Sequence, residues 1–314
     1  MVLTLLAVVV GVALLAYAAD QFVLGAARVA LIRRLSPIVV GVVVVGFGTS
    51  APELLVSGIA AASGQPEIAV GNVVGSNIAN LSLLLGVGAI LIPLSVASST
   101  VRREAPIAVA AMVAYALAVQ GGISLPEGVA LLVALGLAIW KVATSGAGIA
   151  ADPLGAETEE LADASMHSLR TEAVRTLLGL VGTIAGAQLL LWGAVDIADR
   201  AGLGEGFVGA TLVAVGTSLP ELVTVVQSAR RTETDLIVGN LLGSNMFNAL
   251  GVGGVTGLIG AGSIDDPGLT EFGVVAATGV AVLAWVMMRT GRSISRLEGV
   301  VLVVLYACLV PFLS

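Results

Sequence analysis

Apolar runs of about 20 residues or more recur from one end of this chain to the other, and a helix of that length crosses the roughly 30 Å of hydrocarbon in a bilayer. Of 314 residues, 57% are hydrophobic and 11% charged, where an ordinary soluble domain carries about 25% charged residues. Mean hydropathy is +1.06. No single soluble core hides that much apolar surface. Because lipid offers no partner to a backbone N–H or C=O, the expected fold is an all-α membrane protein crossing the cell membrane many times.

Turn signals divide the chain into ten expected transmembrane helices at about 2–32, 37–62, 67–95, 104–121, 125–145, 173–200, 205–229, 235–260, 269–288 and 296–313. Pro37, Gly64-Gln65-Pro66, Gly121-Gly122, Gly202-Leu203-Gly204 and Asp265-Asp266-Pro267-Gly268 mark connections, since Pro removes a donor and Gly permits positive φ. Basic residues test the count, because Lys and Arg are retained on the cytoplasmic side. With these boundaries 13 of the 14 basic residues fall on one side, Arg200 being the exception, and both termini are expected outside. Ala16-Tyr17-Ala18 resembles a signal-peptidase site, but no basic residue precedes Arg28, so this segment reads as an uncleaved first helix.

Two segments are written twice at an offset of 168 residues. Gly48-Thr49-Ser50-Ala51-Pro52-Glu53-Leu54 recurs as Gly216-Thr217-Ser218-Leu219-Pro220-Glu221-Leu222. Gly71-Asn72-Val73-Val74-Gly75-Ser76-Asn77 recurs as Gly239-Asn240-Leu241-Leu242-Gly243-Ser244-Asn245. Five helices per half is an odd number, so the second half enters the membrane from the opposite side, and the fold is expected to be two inverted five-helix repeats. The first occupies residues 1–145 with its motifs at 46–80, and the second occupies 173–314 with its motifs at 214–248. Residues 146–172, with Glu157, Glu159, Glu160 and Asp163, read as a solvated cytoplasmic linker.

Each first motif sets a glutamate inside an apolar helix, which costs roughly 2.5 to 3.5 kcal/mol on insertion scales. Pro52 and Pro220 remove a backbone donor and free carbonyls one turn earlier, around Gly48 and Thr49 and their repeats. Glu53 and Glu221 add carboxylates, and Thr49, Ser50, Thr217 and Ser218 add hydroxyls. An all-oxygen set suits Ca2+ or Na+ and lacks the Cys and His clusters of a zinc or copper site. In the second motif Ser76 and Asn80, like Ser244 and Asn248, are four apart and share a helical face. Gly71 with Gly75, and Gly239 with Gly243, have the small-xxx-small spacing that lets helices approach closely, which equally suits plain packing. No Lys or Arg falls in the expected mid-membrane segments to pair with either glutamate. Asp20, Asp196 and Asp199 suit an entry path or simple helix-end solvation, and His167 reads as an exposed linker residue. The lone Cys308 leaves no intramolecular disulfide.

The paired motifs, with each Ser 23 residues after its Glu, resemble the α-repeats of the calcium/cation antiporter superfamily, particularly the prokaryotic sodium/calcium exchangers. The resemblance covers essentially the whole chain. It implies a central Ca2+ site bridged by Glu53 and Glu221 with the main-chain carbonyls of Thr49 and Thr217. It implies Na+ sites using Ser50, Ser76, Ser218, Ser244 and the carbonyls of Gly46 and Ala214, with Asn80 and Asn248 completing the set. It further implies that the first and sixth helices slide past a core of the second, third, seventh and eighth. One departure stands out: some exchangers of this group carry aspartate where this chain has Asn248. An amide coordinates a cation but neutralises none, so the centre holds two formal negative charges, enough for one Ca2+, two Na+ or two protons.

The expected function is therefore secondary antiport of Ca2+ against Na+, with Ca2+/H+ exchange, or a K+-dependent or other divalent-cation exchanger, as the rival. A cation channel is the alternative of a different class, although conduction favours weak multi-site binding over a closed carboxylate pair. An enzyme is not expected, since no His or Lys is placed to activate the motif serines. No cofactor, nucleic acid or obligate protein partner is implied. The expected partners are the bilayer and the transported ions.

Overall fold

A computed structural model describes residues 2–32, 50–98, 100–144, 168–260 and 262–313. The Pro37 connection, the start of the expected second helix with Gly46 and Thr49, and the linker acids with His167 lie outside the described residues. The described residues are helical almost throughout. In order come α1 (Val2–Ile32), α2 (Ala51–Ala62), α3 (Pro66–Leu91), α4 (residues 100–118), α5 (Leu125–Thr144) and α6 (Leu169–Ala201). There follow α7 (Glu205–Thr217), α8 (Leu219–Arg231), α9 (Thr234–Ile259), α10 (Gly268–Gly291) and α11 (Arg296–Leu309).

Local chemistry explains the ends. Prolines sit in the first turn of α2, α3 and α8, where the missing N–H would have no intrahelical partner anyway. The expected third helix reached residue 95, but α3 stops at Leu91: Ile92 precedes Pro93 and is extended at φ −140° and ψ 143°. The freed strand β1 (Leu94–Ser95) pairs antiparallel with β2 (Ser293–Ile294) just ahead of α11. The sixth helix starts earlier than expected, at Leu169, because the Ser168 side chain caps the Thr171 N–H. Residues 169–172 are thus helical rather than linker, and Glu172 is fully buried between Arg28 of α1 and Arg175, at 3.5 and 3.3 Å. Gly202, left-handed at φ 65°, ends α6.

The 168-residue duplication extends to the backbone. α3 consists of an α-segment Pro66–Ala79, a π-turn Asn80–Leu84 and an α-segment Leu85–Leu91. α9 repeats this register as Thr234–Phe247, Asn248–Val252 and Gly253–Ile259. Further π-turns open α4 at Thr100 and α10 at Gly268, again 168 apart. A π-turn widens the helix by one residue and misaligns its hydrogen bonds, and such turns concentrate at functional sites.

Burial sorts the helices into an inner and an outer group. The apolar stretches of α3 and α9 are 83% buried inside the protein, against 39% for α1 and 44% for α6. α1 and α6 lie against each other through reciprocal glycines. A Cβ on Gly11 would stand 2.7 Å from the Leu190 nitrogen, and one on Gly186 would stand 2.6 Å from that of Leu15. Among the described residues five helices are long and apolar enough to cross a bilayer: the Val2–Phe22 stretch of α1, and α3, α6, α9 and α10. The bent pair α7 and α8 makes a sixth if it is one span. The protein is a multi-pass membrane protein.

Candidate cation site

The site is built at a helix break in the second copy and at a helix start in the first. Ser218 separates α7 from α8, whose axes differ by 43°, and Pro220 cannot donate to the Gly216 carbonyl one turn back. Ser50 precedes α2 with nearly the same backbone angles as Ser218, φ −94° and ψ 11° against φ −83° and ψ 9°. Glu53 and Glu221 therefore both fall in the first turn of a helix, where unpaired N–H groups favour negative charge.

Both glutamates are fully buried. Ser218 Oγ, from the second half, donates to Glu53 Oε1 at 3.1 Å, and Ser244 Oγ donates to Glu221 Oε1 at 3.4 Å. The other oxygen of each carboxylate, Oε2, is buried with no protein partner. Among the described residues, no ion pair to either carboxylate is seen. Ion pairs among the described residues include Arg28–Glu172, Arg175–Glu172 and Arg200–Asp196. Buried polar atoms normally have partners, so two unpaired carboxylate oxygens at matching positions need something to occupy them.

The remaining expected residues divide into those with open atoms and those already engaged. Ser50 Oγ and both amide atoms of Asn80 and Asn248 are buried and unpartnered, and each asparagine heads a π-turn. Thr217 Oγ1 donates to Asn72 Oδ1 and to the Ala214 carbonyl, both at 3.1 Å. That carbonyl also accepts the Ser218 N–H at 3.0 Å, so protein donors already occupy it. Ser76 Oγ donates to Asn72 Oδ1 at 3.5 Å. Thr49 and Gly46 lie outside the described residues.

The sequence reading passed over Asn72 and the pair Asn77 and Asn245, although all stand in the duplicated segments. Asn245 Nδ2 donates to the Asn77 carbonyl at 3.0 Å and ties α9 to α3. Matching amides at the same place in both copies were the signal. Away from the centre, a cavity of about 320 Å³ is lined by Ser63, Gln65, Gln188, Trp192, Asp196 and Asp199 among others. Asp196 is held by Arg200 at 2.7 Å and by the Thr4 hydroxyl of α1, while Asp20 is exposed. Among the described residues no group of three or more His, Cys, Asp or Glu is gathered to hold a metal. The centre offers two carboxylates, hydroxyls and amides, an oxygen-rich set of the kind that hard cations prefer.

Comparison with known proteins agrees with this chemistry. The family description "Sodium/calcium exchanger protein" matches residues 3–143 and 172–314. CaxA of Alkalimonas amylolytica is 37% identical over 304 residues, 95% of each chain. The sodium/calcium exchanger MaX1 of Methanosarcina acetivorans is 28% identical over 335 residues, covering 96% of this chain and 95% of the relative. Solved structures of the sodium-calcium exchanger NCX_Mj superpose with a TM-score of 0.66 at 29% identity, over 99% of this chain and 98% of theirs. These relatives and structural neighbours include transporters of the exchanger type, and the described fold shares their architecture. This chain belongs to the sodium/calcium exchanger protein family.

Proposed function

We propose that the protein is a secondary active antiporter that exchanges Ca2+ for Na+ across the cell membrane by alternating access. The observation that carries this reading is the pair of buried glutamates, one from each copy of the motif, each keeping one oxygen without a protein partner. Ca2+ would be held by Glu53 and Glu221 with the main chain at Thr49 and Thr217. Na+ would use Ser50, Ser76, Ser218 and Ser244 with the carbonyls of Gly46 and Ala214, while Asn80 and Asn248 complete the oxygen set. With Ala214 engaged as described, Na+ binding there requires its carbonyl to give up or share a donor.

Two ionised carboxylates left empty in low dielectric are costly, so the centre reorients readily only when cations or protons balance them. Obligatory exchange follows from that penalty. The two copies would form inverted five-helix repeats, ten membrane helices in all, with an interhelical linker in the cytoplasm and both termini outside. α1 and α6, the more exposed glycine-packed pair, would move against a core of α2, α3, α7 with α8, and α9. The test is 45Ca2+ uptake into vesicles under an imposed Na+ gradient and, separately, an imposed pH gradient. Uptake driven by Na+ supports the reading, and uptake driven by pH alone replaces Na+ with H+. Ca2+ flux that needs no counter-ion gradient would indicate a channel.

A further inference from the structure

The two copies of the motif are matched in sequence but not in how they are held, and one amide makes the difference. Asn72, fully buried on α3, uses its whole hydrogen-bonding capacity, two donors and two acceptor sites. Its Nδ2 donates to Ser57 Oγ at 2.9 Å and to the Glu53 carbonyl at 3.4 Å. Its Oδ1 accepts from Thr217 at 3.1 Å and from Ser76 at 3.5 Å. Ser57 is in turn anchored to the Ala69 carbonyl at 3.3 Å. The matching residue of the second copy, Asn240, is only partly buried, and its Nδ2 has no partner. Where Ser57 stands in the first copy, the second has the buried Val225, which offers no hydroxyl.

We infer that Asn72 is a positioning residue for the cation site, and that the first copy holds the site more firmly than the second. This rests on the proposed exchange reading. A hydroxyl that coordinates a cation must turn its lone pairs to the ion and its hydrogen away. Oδ1 of Asn72 accepts from Ser76, whose lone pairs then remain for an ion, and shares the Thr217 hydrogen with the Ala214 carbonyl, which holds that segment of the second copy against α3. Nδ2 meanwhile pins the main chain at Glu53, so the carboxylate starts from a fixed backbone. In the second copy Ser244 donates to Glu221, and Val225 offers Asn240 no hydroxyl to match Ser57. The Glu221 side is thereby the adjustable wall of the site.

The test compares Asn72→Leu, Asn240→Leu and Ser57→Val in the purified full chain. Two readouts serve: the Ca2+ or Na+ concentration giving half-maximal thermal stabilisation, and the KM and maximal rate of 45Ca2+ uptake in liposomes. Loss of an outer-shell partner weakens metal binding about 10- to 100-fold, and Asn72→Leu should raise half-saturation and KM by that factor. Asn240→Leu should stay within about twofold of the parent chain. Ser57→Val, which copies Val225, should raise half-saturation about fivefold, the worth of one hydrogen bond, and it carries the test if Asn72→Leu does not fold. Equal shifts for the Asn72 and Asn240 variants overturn the inference, as does a Ser57→Val protein indistinguishable from the parent, or a fall in maximal rate alone. A parent chain that neither ion stabilises and that exchanges no Ca2+ overturns the exchange reading itself, which is a separate result.

Discussion

Replacing Glu53 by Gln changes the site by one charge while keeping its shape. Glu53 Oε1 accepts the Ser218 hydroxyl at 3.1 Å, and a Gln oxygen can retain that bond. Its amide nitrogen, however, would take the place of Oε2, the unpartnered oxygen, and point two N–H groups where a cation should sit. Two glutamates neutralise Ca2+, whereas one leaves the loaded site with a buried net positive charge. Removing one partner from a buried charge pair costs about 3 to 5 kcal/mol. At about 1.4 kcal/mol per power of ten, Ca2+ affinity should fall by roughly two to three and a half powers of ten. The assay is 45Ca2+ uptake into proteoliposomes across a wide Ca2+ range, with unfolding temperature in the absence of cations as the control for folding. The Gln variant should fold at least as well as the parent, because a buried unpaired charge has been removed. A KM within about tenfold of the parent, at an undiminished rate, would refute the reasoning, since the Coulomb part alone exceeds that factor.

Asn248→Asp adds a third carboxylate at the head of the α9 π-turn, so the charge moved per cycle should change, as read by a voltage-sensitive dye in proteoliposomes at fixed gradients. An unchanged charge per cycle would place position 248 outside the transported set. Gly186→Leu must push α1 away, because a Cβ there already comes within 2.6 Å of the Leu15 nitrogen. Overpacking of this kind costs about 1 to 3 kcal/mol, and the unfolding temperature should fall accordingly. Glu172→Ala strands Arg28 and Arg175 without their shared buried partner, and a loss of about 3 to 5 kcal/mol should show in the unfolding transition while Ca2+ KM stays near the parent value.

Much of the fold was readable because membrane helices advertise themselves through length and hydropathy, both local properties. The described helix ends fall within about four residues of those expected, and two of the larger differences have local causes, namely the extended Ile92 before Pro93 and the Ser168 cap. The π-turns at Asn80 and Asn248 left no such signature, since a one-residue widening disturbs hydropathy periodicity too little to notice. The break at Ser218 was foreseen from Pro220, but its 43° bend was not.

The sequence by itself determined that this is a membrane protein with a duplicated motif and a glutamate in each copy, because composition, spacing and proline chemistry act within one stretch of chain. Only the tertiary structure decided which atoms meet across the copies. Ser218 reaches Glu53 over 165 residues, Thr217 reaches Asn72 over 145, and Asn245 reaches Asn77 over 168. Such partners are chosen by how α3, α7 and α9 pack, which no local pattern encodes. Identical letters in the two copies consequently end in unlike environments, with Asn72 saturated and the Asn240 nitrogen bare.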